Sequence, residues 1–100
     1  MSDALSTYLN LNGTDRRLSE AAAALLPHCV DANAVWLLAP LVASRLTEQP
    51  DGSIQLCDPA TGRPRFGKRG RVLDAVDCVN EVRAEAERDG DWLITRLFRG

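Results

Sequence analysis

Apolar residues recur at helical spacing in several stretches of the chain, and Gly and Pro separate those stretches. Ser2-Asp3 followed by Ala4, Leu5, Tyr8 and Leu9 predicts a short first helix with a small polar cap. Asn12-Gly13 stops it. Thr14 or Asp15 can cap a second helix running to about Leu26, with Leu18, Ala21, Ala22, Leu25 and Leu26 on one face and Pro27 at its end. Asp31 or Asn33 then caps a third helix, whose inner face is Val35, Leu38, Val42 and Leu46. Trp36, Leu37 and Leu41 are apolar too, so this helix is greasy on most sides and is expected to be the most buried element. Pro40 removes a backbone donor and predicts a kink or a split there.

Beyond the third helix the period changes. Pro50-Asp51-Gly52 is a turn. The runs 53–57 and 63–67, around the Asp58–Gly62 turn, read as a β-hairpin leaning on the helices through Ile54, Leu56 and Phe66. Pro64 places the second run at an edge. Val72, Val76, Val79, Val82 and Ala86 then predict an amphipathic helix from Arg71 to about Arg88, with Asp74, Asp77, Glu81, Glu85 and Arg88 on its solvated face. Asp89-Gly90-Asp91 is a stop followed by a new cap. The tail Trp92–Phe98 reads as a last short helix, with a strand as the competing reading because Trp, Ile, Thr, Leu and Phe favour strands. The expected fold is a single domain, 1–100, of the α+β class and mostly helical: four to five helices with one small β-hairpin at about 53–67.

Charge sharpens this picture. The 100 residues carry 12 basic and 14 acidic groups, a net charge of −2, and 45% of residues are hydrophobic. The total argues against bulk attraction to nucleic acid or membrane. The distribution is uneven: residues 61–73 hold 5 basic and no acidic groups, while 1–60 hold 3 basic and 7 acidic. The island Arg63, Arg65, Lys68, Arg69 and Arg71 is the main anomaly of the chain. It can meet a phosphate or an acidic protein surface, or it can simply balance the carboxylates of the helix that follows. Trp92 is the other candidate partner-binding residue, an aromatic hot spot near the C-terminus if exposed; Trp36 and Phe98 are expected in the core.

Motifs for chemistry fail on inspection. Gly62 to Lys68 fits GxxxxGK, but Arg69 stands where a phosphate loop needs Ser or Thr, and Pro64 lacks one of the amides that would cradle phosphate. His28, Cys29, Cys57 and Cys78 follow no zinc spacing, and three unpaired cysteines suit free thiols in a reducing cytosol. Ser19 and Ser44 sit in no nucleophile elbow, and the acidic pairs lie on a helix face rather than in a cleft. The third helix has no polar residue before Ser44, which does not suit major-groove reading. The expectation is therefore no enzyme, no metal and no cofactor.

In size, acidity, Arg/Ala-rich character and lack of catalytic motifs, the chain resembles small bacteriophage or mobile-element proteins, in particular anti-CRISPR inhibitors of type I effector complexes. The resemblance implies a host-cytosol protein that docks on the guide-RNA complex and blocks DNA access. It would do so by steric cover or by presenting acidic groups, here Asp3, Asp15, Glu20, Asp31, Glu81, Glu85 and Glu87. The expected function is a non-catalytic protein-binding module whose partner is a host protein or ribonucleoprotein, with no membrane partner. The alternatives are a phosphate- or nucleic-acid-binding protein using the basic loop 63–71, and a small phage structural or regulatory subunit.

Overall fold

A computed structural model describes residues 16–100. Among them run four helices, α1 (Arg16–Leu25), α2 (Ala32–Ala43), α3 (Ala75–Asp89) and α4 (Trp92–Thr95), and two strands, β1 (Leu46–Glu48) and β2 (Ile54–Leu56). The class is α+β and mostly helical. The helix expected near Ser2–Leu9 and the Thr14/Asp15 cap lie outside the described residues.

The helices assemble through small and β-branched side chains. Ala21, Ala22, Ala24 and Leu25 of α1 are buried, and their low bulk lets α1 lie close to α2. Asp31 caps α2, its carboxylate accepting the Ala34 amide at 2.9 Å. Val35, Leu38, Ala39 and Val42 of α2 meet Leu25, Cys78 and Val79 in one core, closed by Phe98. Pro40 neither splits nor ends α2, which continues to Ala43. The proline is exposed in the last turn, so its ring faces solvent and disturbs no packed neighbour.

α3 starts four residues later than its apolar spacing predicts. Asp74 and Asp77 form a capping box: the Asp74 carboxylate accepts the Val76 and Asp77 amides, and Asp77 accepts the Asp74 amide at 2.9 Å. The cap outcompetes the valine pattern as a start signal. Val72 therefore lies outside the helix and Val76 is exposed, while the buried stripe is Ala75, Cys78, Val79, Val82 and Ala86.

The hairpin is displaced toward the N-terminus. β2 is the first expected strand, but its partner is β1, with Leu46 opposite Leu56 and Glu48 opposite Ile54. The Pro50–Gly52 turn closes it, Gly52 taking a φ of +88° that suits glycine. The run 63–67 cannot form a regular ladder through Pro64. It lies on the other side of β2, where the Arg65 amide bonds the Leu56 carbonyl at 2.9 Å and Cys57 bridges Pro64. The chain then folds back sharply: Phe66 bridges Val72, and Lys68–Gly70 form one 3₁₀ turn at the tip. Phe66, expected to lean on the helices, is 59% exposed.

The tail combines both readings made for it. Asp91 caps the four-residue α4, after which Phe98 pairs with Cys29 in an antiparallel bridge and is buried. The Arg99 amide bonds the His28 carbonyl at 2.8 Å. Arg83 of α3 lies over the Phe98 ring at 5.5 Å, fixing the tail to the helix.

Adjacent leucines of α2 test this packing. Leu38 is buried and Leu37 is 66% exposed. Leu38→Ala should cost about 2–5 kcal/mol in urea unfolding, and Leu37→Ala should stay within about 0.5 kcal/mol of the parent. Equal losses would mean that α2 is rotated from the orientation described.

Candidate functional site

The basic island sorts into two groups when placed on the fold. Strand-like backbone sends successive side chains to opposite faces. Arg65 points to α3 and meets Glu81 at 2.8 Å, while Arg71 forks onto Asp77 at 2.8 and 3.1 Å. Phe66 and Val72, their chain neighbours, are exposed on the turn that joins the two arginines. Arg63, Lys68 and Arg69 are exposed, and among the described residues no carboxylate pairs with them. Arg69 holds a left-handed φ of +61°, uncommon for a residue with a side chain.

Arg45, not singled out by the sequence reading, completes an ion network. It follows α2 and grips Glu85 with both guanidinium nitrogens at 2.8 and 2.9 Å, reaching Glu81 at 3.5 Å. Glu81 and Glu85, one helical turn apart, repel each other unless a cation intervenes. Arg45 and Arg65 supply that cation, so Glu81 and Glu85, expected on a solvated face, are half-buried, while Asp74 and Arg88 of that face are exposed. Arg88 pairs with Asp89 at 3.2 Å.

These contacts set the protonation chemistry. The Arg71 hydrogen bond, aided by the Asp74 amide, lowers the Asp77 carboxyl from 3.8 to about 2. The Arg45 hydrogen bond holds Glu85 below its ordinary value. A cleft of about 450 Å³ is lined by Arg45, Cys57, Arg65, Glu81 and Glu85. Its two carboxylates are clamped by guanidinium groups, and Glu85 is shifted away from the neutral range useful for proton transfer. All three cysteines are buried and free. Burial pushes the thiols of Cys29 and Cys78 up to about 11, so they stay protonated and unreactive at neutral pH. Among the described residues no cluster of His, Cys, Asp or Glu is arranged to hold a metal ion, and no helix is long and apolar enough to cross a membrane.

Trp92 lies elsewhere. The island arginines meet the N-terminal half of α3, which is about 22 Å long by its 1.5 Å rise per residue, and Trp92 follows its C-terminal end. Trp92 is 65% exposed, and Arg96 lies over its ring at 5.6 Å. Next to it, Leu37, Leu38 and Leu41 of α2 and Leu93, Ile94 and Leu97 of the tail line an open groove of about 550 Å³. Arg96 also lines it and has no carboxylate partner among the described residues. The all-round apolar character of α2 was the signal for this groove. That character predicts burial, yet α1 and α3 cover only the inner side and the four-residue α4 is too short to cover the rest. Leu37, Leu41, Leu93 and Arg96 are thus functional candidates that sequence reasoning missed.

Compared with known protein families, with curated proteins and with solved structures, the chain has no match.

The Asp77 clamp makes a pH prediction. Its folded carboxyl, at about 2, binds a proton more weakly than the unfolded one at 3.8. The stability it confers is complete above the unfolded value and is lost as pH falls through the folded one. Carboxyl NMR titration should find Asp77 near 2, and Arg71→Gln should move it toward 3.8. An unchanged titration in that variant would remove Arg71 as the cause.

Proposed function

We propose that the protein is a non-catalytic binding module whose apolar groove seats a partner protein. The supporting observation is that Leu37 and Leu93, each more than 60% exposed, line one concave surface, and that Arg96 on its wall lies over the ring of the equally exposed Trp92. Large apolar side chains gathered at a groove mark an interaction site, and a Trp beside them suits a binding hot spot. Arg96 adds polarity to the choice of partner. Held on the Trp92 ring and with no carboxylate partner among the described residues, it favours a partner segment with apolar side chains and an acidic group.

The resemblance to anti-CRISPR inhibitors supplies the partner class: a host guide-RNA effector complex, met in the host cytosol. Steric cover is the mode the geometry favours. Presentation of acidic groups to a DNA channel is the weaker mode, because Glu81 and Glu85 are held by arginines, Asp31 caps α2, and Glu87 pairs with Arg83.

Purified protein mixed with a type I effector complex and its target DNA tests this reading. Stoichiometric co-elution and loss of DNA binding are expected. Trp92→Ala should weaken the complex by about 2 kcal/mol or more, and Arg96→Glu should also weaken it, with thermal stability retained in both. Failure to co-elute would refute the partner class, and full binding by both variants would refute the groove.

A further inference from the structure

We propose that the exposed surface of the 63–72 segment binds single-stranded nucleic acid, with a base stacked on Phe66 and backbone phosphates on Arg63, Lys68 and Arg69. This site is independent of the apolar groove, and neither proposal rests on the other.

Phe66 is the first ground. It is one of only two phenylalanines in the chain, and the other, Phe98, is buried. Phe66 instead stands 59% exposed, directly across an antiparallel bridge from the exposed Val72. Paired residues in such a bridge share a face. The ring and the valine therefore form a small flat platform open to solvent. Apolar contact with the core does not account for its placement.

The sorting of the cations is the second ground. Arg65 and Arg71 are tied to Glu81 and Asp77 of α3. Arg63, Lys68 and Arg69 remain exposed without carboxylate partners among the described residues, and they bracket Phe66 along the chain. Three available cations flanking an exposed ring along the chain combine the two elements by which single strands are held, phosphate neutralisation and base–aromatic stacking. A duplex hides its base faces in its own stack and leaves Phe66 no role. An acidic peptide would meet the cations and equally ignore the ring. Single strands use both.

The test is fluorescence anisotropy with short labelled oligothymidylate, the corresponding oligouridylate and a duplex of equal length, at low salt. Saturable binding of the single strands is expected, with the duplex bound about tenfold more weakly. Three phosphate contacts predict a log–log salt slope of about −2. Phe66→Ala should weaken binding about tenfold while leaving the slope unchanged. The Lys68→Gln/Arg69→Gln double variant should reduce the slope to about −0.7. All three side chains are exposed, so circular dichroism should show each variant folded. Four results would overturn the proposal: no binding of single strands at low salt, undiminished binding by Phe66→Ala, equal binding of the duplex, or equal binding of poly-glutamate.

Discussion

The carboxylates of α3 constrain the rest of the molecule. Asp77, Glu81 and Glu85 follow one another at helical spacing, so α3 carries a ridge of like charge along the edge of its buried stripe. Such a ridge is stable in a half-buried position only if cations reach it. Arg45 comes from the end of α2, Arg65 from the run after β2, and Arg71 from just before α3 itself. Each arginine ties a different piece of chain to the same helix. The charges therefore do for the irregular half of the molecule what Val79 and Val82 do for the helical half.

The two candidate surfaces follow from this arrangement. Because Arg65 and Arg71 reach toward the carboxylates of α3, the side chains beside them point away from it, and Phe66 is left in solvent. Because α1 and α3 take the inner side of α2, Leu37 and Leu41 face a gap that α4 fills only in part. The N-terminal half of α3 organises the basic turn, and its C-terminal end positions Trp92.

Much of the helical half was legible in the sequence. The Asp31 cap, the inner face Val35/Leu38/Val42 and the Gly90 stop were all readable from side-chain type and spacing. The start of α3 was not legible, because valine periodicity continues past the cap, and a capping box is a local hydrogen-bond device that periodicity does not register. The hairpin lies nearer the N-terminus because Pro64 denies the run 63–67 a regular ladder, so β2 finds its regular partner in β1 across the Pro50–Gly52 turn. The island was legible as charge, but its division was not: which of five cations meets a carboxylate depends on the register of a bridge between Phe66 and Val72. The groove was hidden for a different reason. An apolar helix surface reads the same whether a neighbour covers it or not.

A neutralising scan of the island tests the central claim most directly, with each of Arg63, Arg65, Lys68, Arg69 and Arg71 changed singly to Gln and followed by urea unfolding. Arg65→Gln and Arg71→Gln are expected to lower the unfolding midpoint, while the other three leave it in place. Five equal responses, or losses concentrated at Arg63, Lys68 and Arg69, would contradict the division that α3 imposes.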